Sequence, residues 1–363
     1  MNKKLLGMLT LSSALLFSCG DTNKKKVDDP STAKNAPAAK SPEVSVSDAH
    51  MGLLKALPAT MDSKSNPISA EKVELGKMLY FDKRFSKNHD ISCNSCHGLD
   101  TFGVDNKQFS SGHKKQFGDR NAPTVYNAAL HLAQFWDGRA ADVEEQAKGP
   151  VLNPVEMAMP DEASVLKVIN SIPEYVEAFK KAFPGENSVT YDNFGKAIGA
   201  FERKLLTPSK FDKFIAGDKN ALSNEEKKGL NTFMETGCFS CHNGPAFGGN
   251  MYQKLGLVKA WPDLKDVGRS AISKNDAEKY FFKVPSLRNI EKTAPYLHDG
   301  SIKELNEMVA KMAEYQLGKN LSKEEISSIV TFLKALTGTP DADYIKEPKL
   351  PASTASTPAP DPG

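Results

Sequence analysis

Four of the five cysteines belong to two Cys-x-x-Cys-His motifs, at residues 93–97 and 238–242. This spacing is typical of haem c attachment, in which two thiols form thioethers with the porphyrin and the histidine binds iron. Disulfides, a zinc site and a thioredoxin-like redox pair are the alternatives. A zinc site does not require the histidine twice, and neither pair lies in a β-α-β pattern. The sequence therefore predicts two covalently bound haem c groups, attached through Cys93, Cys96, Cys238 and Cys241.

The histidines of the motifs, His97 and His242, are the predicted proximal iron ligands. The other axial ligand separates electron transfer from catalysis, because methionine closes the iron to small molecules whereas a displaceable ligand lets peroxide bind. His113 lies on a polar segment after the first motif, and a ligand on a mobile loop can leave the iron; an exposed loop histidine is the alternative. A single methionine is more often a core side chain. The candidates after the second motif are Met251, His298, Met308 and Met312.

The elements that must position these residues are predicted to be mainly α-helical. Ser223 with Glu226 forms a capping box, and apolar residues recur at helical spacing near the C-terminal end. Predicted helices cover residues 71–81, 161–183, 192–206, 224–235, 303–315 and 323–336. The long loops between them can cover the open haem faces; they span residues 98–123, 243–270 and 284–300. The predicted fold class is mainly α, with two cytochrome c-like haem domains and long loops.

The N-terminus has the pattern of a bacterial export signal. Lys3 and Lys4 precede an apolar run over residues 5–17, which is too short to span a membrane. The run leads into Leu-Phe-Ser-Cys, which favours a lipoprotein acylated on Cys19; an ordinary signal peptide with an incidental cysteine is the alternative. The net charge of +2 gives no reason to expect nucleic acid as a partner. We expect a periplasmic protein that a lipid anchors to a membrane.

Four segments outside the haem motifs match a known pattern. They are RNAPTVYNAALHLAQFWDGRAADVEEQAKGPV from Arg120, VEM from Val155, KVPSLRNIEKTAPYLHDGSI from Lys283 and MAEYQLGKNLS from Met312. With the two motifs, they make the chain resemble the bacterial di-haem cytochrome c peroxidases, from about residue 71 to about residue 339. In that family peroxide reacts at the low-potential N-terminal haem. The high-potential C-terminal haem, with His and Met ligands, receives the electrons.

The resemblance implies roles for individual residues. His113 matches a loop histidine that occupies the distal side of the oxidised iron in many members and departs when the other haem is reduced. Glu156 matches the distal acid–base residue, which moves a proton between the peroxide oxygens, and Gln146 matches a distal hydrogen-bonding residue. Trp136 matches the relay between the haems. Without the resemblance, Glu156 would be interpreted as a surface carboxylate and Trp136 as a core side chain.

The resemblance also implies ligands in the second half. Met312 matches the distal methionine of the C-terminal haem better than Met308 does. Asn121, Thr293 and Pro295 match the ligands of a calcium ion between the two domains, the last two through backbone carbonyls. An amide oxygen and carbonyl oxygens suit such a hard cation.

Composition, motifs and resemblance together divide the chain into six predicted segments. The two rich in Ala, Pro and small polar residues lack large apolar side chains and are predicted to be flexible. The segments are a lipoprotein-type signal peptide (1–18), a flexible linker (19–48), an N-terminal peroxidatic haem c domain (49–206), a C-terminal electron-transfer haem c domain (207–339), a return segment that packs on the N-terminal domain (340–347) and a disordered tail (348–363).

The activity implied by the resemblance is the reduction of hydrogen peroxide to water. Electrons would come from a small donor protein, a cytochrome c or a cupredoxin, and the family pattern implies a homodimer. One alternative is a di-haem oxidase that acts on a protein substrate; such enzymes carry tyrosine where Met312 stands. The other alternative is a plain electron carrier in which both irons are permanently six-coordinate.

Overall fold

The longer helices begin at side chains that cap them. The computed structural model describes residues 43–185 and 187–363, so the predicted signal peptide and Cys19 lie outside the described residues. Ser69 and Thr190 each accept a hydrogen bond from the backbone N–H three residues later. Ser223 forms the expected capping box with Glu226. Local side chains therefore determine where these helices begin.

Helices dominate the described part of the chain, which confirms the predicted mainly α class. Strands β1 (Tyr252–Lys254) and β2 (Phe281–Lys283) form the antiparallel pair. Within the described ranges, no helix combines the length and the apolar character needed to cross a bilayer. The helices are α1 (Asp48–Met51), α2 (Ala70–Phe81), α3 (Cys93–Cys96), α4 (Val143–Leu152), α5 (Glu162–Asn170), α6 (Pro173–Ala182), α7 (Tyr191–Glu202), α8 (Lys210–Ile215), α9 (Asn224–Thr236), α10 (Ser270–Ser273), α11 (Leu305–Leu317), α12 (Lys323–Ala335) and α13 (Ala342–Ile345).

One predicted helix is two helices in the structure. The prediction of a continuous helix over 161–183 is wrong, because α5 ends at Asn170 and α6 begins at Pro173. Proline lacks the N–H that a helix interior requires and is favoured in the first turn, so it starts a new helix here. Helix α4 was not predicted, and Pro150 within its last turn weakens its sequence pattern.

Two hydrophobic cores form around two close helix pairs. In the first core, α2 packs on α7 so closely that a Cβ on Gly76 would lie 1.9 Å from the carbonyl oxygen of Ala197. In the second core, α9 packs on α12, and a Cβ on Gly229 would lie 2.1 Å from the carbonyl oxygen of Ser328. Both contacts require glycine because any larger residue would push the helices apart.

Thr207 joins the two halves. It is fully buried, and its hydroxyl oxygen lies 2.9 Å from Asn127 Nδ2 and 2.8 Å from Asn289 Nδ2. The backbone N–H of Thr207 donates to Asn127 Oδ1 at 3.1 Å. Buried amide groups need such partners, so this network fixes the chain at the point where one core gives way to the other.

The chain returns to the first core after α12. Tyr344 stacks on Phe201, with ring centroids 5.1 Å apart, and its hydroxyl donates to the carbonyl oxygen of Phe201. The tail over 348–363, which the sequence predicts to be disordered, lies along the same half. Arg84 donates to the carbonyl oxygen of Pro351 at 2.9 Å, and the backbone N–H of Asp361 donates to the carbonyl oxygen of Lys87 at 2.9 Å. Polar and backbone contacts hold the tail against this half of the chain. Amino-acid composition, on which the prediction of disorder was based, does not indicate such contacts.

Candidate functional site

The first Cys-x-x-Cys-His motif begins with the one-turn helix α3. Ser92 and Ser95 cap this helix reciprocally, and the backbone N–H of His97 donates to the carbonyl oxygen of Cys93 at 3.0 Å. His97 Nδ1 lies 3.3 Å from the carbonyl oxygen of Gly103, so Nδ1 carries the proton and Nε2 is free to bind iron. Burial lowers the pKa of His97, which keeps the imidazole in its neutral, ligating form.

The second motif repeats this local arrangement. Gly237, with φ of 97°, ends α9 and turns the chain into the motif. The backbone N–H of His242 donates to the carbonyl oxygen of Cys238 at 3.0 Å, and His242 Nδ1 lies 3.3 Å from the carbonyl oxygen of Phe247. Burial lowers the pKa of His242 to about 4. Both motif histidines are therefore neutral, with the same nitrogen free for iron.

The four cysteine thiols are free and lie in two separate places. Cys93 packs against the first core and Cys238 against the second. Burial raises the pKa of Cys93, and it raises the pKa of Cys238 to about 11, so these thiols are neutral. Zinc binds thiolates, and the described part of the chain gathers no group of three or more His, Cys, Asp or Glu side chains that could hold a metal ion. The disulfide and zinc alternatives therefore fit this arrangement poorly.

His113 and Glu156 are distant in sequence and adjacent in space. The side chain of His113 is buried, and its backbone N–H donates to the carbonyl oxygen of Glu156 at 2.7 Å. The neighbouring Gly112 makes this approach possible, because a Cβ there would lie 2.0 Å from the carbonyl oxygen of Val155. The structure thus brings two of the predicted site residues onto one pair of contacting backbone segments.

Glu156 is close to the first motif. Burial raises the pKa of its carboxyl, against the opposing charge of Arg139 and a hydrogen bond from Asn153. Burial also raises the pKa of the Cys96 thiol, and the charge of Glu156 contributes to that rise. The carboxylate therefore lies within electrostatic range of a cysteine that would carry the first haem. It can hold a proton at a higher pH than an ordinary glutamate.

Gln146 lies on α4, and its side chain is half-buried. Its backbone N–H donates to the carbonyl oxygen of Asp142 at 3.0 Å. Across residues 43–185 and 187–363, the Gln146 side chain makes no hydrogen bond to His113 or Glu156. The structure does not join it to these two residues.

A largely apolar cavity, here called the C-terminal cavity, lies beside the second motif. It is lined by Cys238, Cys241 and His242 of the motif and by two methionines of α11. Met308 and Met312 lie four residues apart on that helix, so both reach the cavity. The lining therefore keeps both methionines as candidates.

Trp136 lines the same cavity and is fixed from two directions. Its indole N–H donates to the carbonyl oxygen of Asn121 at 2.9 Å, and its own carbonyl oxygen accepts from the backbone N–H of Lys283 at 2.8 Å. Its ring meets the ring of His298 edge-on, with centroids 6.4 Å apart. These contacts hold the indole against the wall of the C-terminal cavity.

The three predicted calcium ligands, Asn121, Thr293 and Pro295, all line the C-terminal cavity. The amide nitrogen of Asn121 donates to the carbonyl oxygens of Lys107 and Gln108, at 2.8 and 3.3 Å. Because Nδ2 is occupied in this way, Oδ1 is the atom that Asn121 can offer to a cation. The structure gathers the predicted oxygen donors in one region.

Two functional candidates were missed by sequence reasoning. Lys283 is buried at the end of β2, and His131 accepts a hydrogen bond from its ammonium group. Both line the C-terminal cavity. Both residues lie in segments that match the family pattern, Lys283 in the segment that it begins and His131 in the segment from Arg120, and this position is the signal that could have indicated them.

Haem c fits these two motifs. Each offers two free thiols, one neutral imidazole with Nε2 free, and buried surroundings. The second motif also faces an apolar cavity that contains a buried cation, Lys283, and a porphyrin with two carboxylates complements both features. The residues of the chain thus match the cofactor that the spacing predicts.

Comparisons with known proteins agree with this chemistry. A sequence model described as di-haem cytochrome c peroxidase matches residues 70–220. The chain is 51% identical to the cytochrome c551 peroxidase of Nitrosomonas europaea, over 80% of this chain and 87% of the relative. It is 47% identical to the cytochrome c551 peroxidase of Pseudomonas aeruginosa, over 86% of this chain and 92% of the relative.

The fold also matches a solved structure, that of a MauG-like protein associated with microbial copper homeostasis. The TM-score is 0.70 at 26% identity, and the match covers 82% of this chain and 97% of that protein. Matching motifs, extensive identity and a shared fold lead to one conclusion. The chain belongs to the di-haem cytochrome c peroxidase family of oxidoreductase enzymes.

Proposed function

We propose that the chain reduces hydrogen peroxide to water with electrons that a small periplasmic protein delivers to the C-terminal haem. Peroxide is cleaved at the N-terminal haem. The observation that carries this proposal is the difference in surroundings between two otherwise matching motifs. His113 and Glu156 meet near the first motif, and a methionine-lined cavity adjoins the second. A proton-transfer group suits peroxide cleavage, and a thioether ligand suits electron transfer.

Glu156 is the proposed acid–base residue. Haem, when bound, supplies the redox chemistry, and the protein supplies acid–base groups and access. The Glu156 carboxylate takes the proton from one peroxide oxygen and returns it to the other, so that water can leave. The raised pKa of Glu156 supports this role because a proton is then easily held between the two transfers. Gln146 is the proposed hydrogen-bonding partner of the substrate.

His113 is the proposed displaceable ligand of the first iron. Its loop contains Lys114 and Lys115 in the left-handed backbone region, with φ of 54° and 58°. Lysine adopts this region at a cost, so the surrounding contacts must hold the loop in place. Tertiary contacts, and not the backbone preference of its own residues, hold this loop in place. Such a loop is suited to take a second position, in which His113 has left the iron.

His242 and Met312 are the residues that would bind the second haem iron. Met312 is favoured over Met308 because Met308 is buried within an apolar cluster, whereas Met312 packs against that cluster and stays half-buried, with accessible surface. Trp136 is the proposed relay, since it lines the cavity of the second motif and is fixed by the loop at Asn121. A ligand pair that does not exchange keeps this iron dedicated to electron transfer.

A calcium ion is the proposed occupant of the region around Asn121, Thr293 and Pro295. The free Oδ1 of Asn121 and the carbonyl oxygens of the other two supply the hard donors that calcium prefers. Calcium at this place would order the loop that ends at Trp136.

We also propose how the enzyme is anchored, which class of protein donates its electrons and how its domains are arranged. Acylation of Cys19 anchors the chain to a membrane on the periplasmic side, and the electron donor is a cytochrome c or a cupredoxin. Residues 49–206 and 207–339 form the peroxidatic and electron-transfer domains of each subunit of a homodimer. The segment over 340–347 ties the second domain back to the first.

Steady-state turnover tests the proposed function. Purified di-haem protein is mixed with a reduced small cytochrome c, and its oxidation is followed after addition of hydrogen peroxide. Glu156→Gln should lower kcat by about 10²–10⁴-fold while both haem spectra remain. Glu162→Gln, at the exposed start of α5, is the matched control and should leave kcat unchanged. Full turnover in the Glu156 variant would refute the acid–base role.

A further inference from the structure

Lys283 is a buried cation at the edge of the C-terminal cavity. Its relative exposure is 6%, and it ends strand β2, opposite Tyr252. Its backbone N–H donates to the carbonyl oxygen of Trp136 at 2.8 Å, and its Nζ lies 2.9 Å from Nδ1 of His131. The ammonium group is thus held beside His131, and the backbone of the same residue is bonded to the proposed relay.

His131 orients the ammonium group without neutralising it. The ammonium can only donate, so Nδ1 of His131 accepts and the imidazole proton is on Nε2. Burial and the neighbouring charge of Lys283 lower the pKa of His131 well below its usual value, so the ring is neutral. Its Nε2–H is buried and has no hydrogen-bond partner among the described residues.

The charge of Lys283 lacks the compensation that other buried cations have. Arg203 lies 2.7 Å from a carboxylate oxygen of Glu144, and Arg288 lies 2.7 Å from one of Asp212. Over residues 43–185 and 187–363, no carboxylate lies within ion-pair distance of Lys283. Burial lowers its pKa to about 8, which still leaves most of the ammonium charged at pH 7. A buried charge of this kind requires a counter-ion.

The cavity indicates which counter-ion is suitable. Lys283 and His131 line the same cavity as the thiols of Cys238 and Cys241 and the ring of His242. A haem attached there brings two propionate carboxylates into largely apolar surroundings. We propose that Lys283, oriented by His131, binds a propionate of the C-terminal haem next to Trp136. This inference rests on the proposed second haem and assigns an anchoring residue to it.

An ammonium group at this place also sets the potential of the second haem. Reduction adds a negative charge, which a nearby cation stabilises, and low-dielectric surroundings strengthen the effect. Lys283 is therefore a positioning residue that keeps the second haem at high potential, and its backbone bond to Trp136 ties the anchor to the relay.

The test is a spectroelectrochemical titration of the di-haem protein. Lys283→Met removes the charge and keeps most of the side-chain length. We expect the reduction equilibrium of the C-terminal haem to shift at least tenfold toward the oxidised form, which is about 59 mV for one electron. Lys279→Met is the matched control, because Lys279 is exposed four residues earlier, and its potentials should equal those of the wild type. Lys283→Arg keeps the charge and should keep the potential.

Each outcome decides the proposal. An unchanged potential in a folded Lys283→Met protein overturns it. If that variant loses the second haem, Lys283→Gln and Lys283→Arg are compared. Loss of the haem in the glutamine variant with retention in the arginine variant supports the requirement for a positive charge. Loss of the haem in all three variants gives Lys283 a packing role and overturns the proposal. Peroxidase turnover is measured separately in the wild type. Absent turnover there contradicts the proposed function and leaves the potential shift as an independent result.

Discussion

The backbone N–H of His113 donates a hydrogen bond to the carbonyl oxygen of Glu156, at 2.7 Å. This contact links the loop that carries the proposed displaceable ligand to the segment that carries the proposed acid–base group. It depends on Gly112, whose missing side chain allows the two backbones to approach. Because the two segments are joined, we expect that departure of His113 from the iron also repositions Glu156.

The His113→Gly variant tests the gate. Removal of the imidazole should leave the first iron open, so the fully oxidised variant should bind peroxide without prior reduction. Stopped-flow spectra after mixing with peroxide measure this directly. His89→Gly is the control, since His89 lies before the first motif and, like His113, is a loop histidine. A His113 variant that still requires reduction would place the gate on another residue.

The close contact between α2 and α7 predicts a large cost for a small substitution. Gly76→Ala would put a Cβ 1.9 Å from the carbonyl oxygen of Ala197, so the helices must separate. We expect the free energy of unfolding to fall by about 1–3 kcal/mol. Gly118→Ala, where no atom lies within 4 Å of the new Cβ, should change it by less than about 0.5 kcal/mol. Equal denaturant midpoints for the two variants would contradict this packing.

Because the carboxyl of Glu202 is buried, we expect the free energy of unfolding to fall as the pH rises. Burial, and after it the charge of Glu144, raises the pKa of this carboxyl to about 8. The unfolded chain loses the proton near the ordinary value of 4.5, while the folded chain keeps it until about pH 8. Stability is therefore lost across that window, by at most about 1.4 kcal/mol per pH unit.

Calorimetry of the Glu202→Gln variant checks this sign. Between pH 5 and 8 its melting temperature should fall less than that of the wild type, since the variant has no proton to lose. Glu225→Gln, at an exposed position of α9, should follow the wild type. Parallel curves for all three proteins would show that Glu202 does not ionise as its burial predicts.

The C-terminal tail predicts a local effect on the His113 loop. Pro362 lies beside residues 111–115, and Lys87, which binds the tail, also donates its backbone N–H to Met157 next to Glu156. Removal of residues 351–363 should lower the melting temperature by about 2–4 °C and speed amide exchange in the loop. Exchange in α12 is the internal control and should not change. Unchanged amide exchange at residues 111–115 would show that the tail does not stabilise the loop.

Much of the fold could be predicted because the signals for its helices lie in residues that are close together in the sequence. The capping box at Ser223 and the apolar stripe of the last long helix needed only neighbouring residues. The break at Pro173 is also visible in the sequence, because proline favours the first turn of a helix. The prediction of one helix over 161–183 did not use this signal. The tail could not be predicted, because its contacts with Arg84 and Lys87 come from distant parts of the chain.

The candidate site divides in the same way. The motif spacing alone identified Cys93 to His97 and Cys238 to His242 as haem-binding. The contact between His113 and Glu156 depends on tertiary structure. The sequence offered His113 as a loop histidine after the first motif, whereas only the family resemblance indicated Glu156 beforehand. The proposed role of Lys283 could not be predicted although the residue lies in a matching segment, because the role depends on the absence of a carboxylate partner in the packed structure.

The proposed division of labour between the haems is tested most directly by a stepwise redox titration with peroxide added at each stage. We predict two one-electron potentials well apart, with the sulfur-to-iron charge-transfer band of the C-terminal haem lost in the first step. The half-reduced protein should then bind peroxide at the N-terminal haem. Two haems that titrate together, or a half-reduced protein that leaves peroxide unbound, would contradict the account.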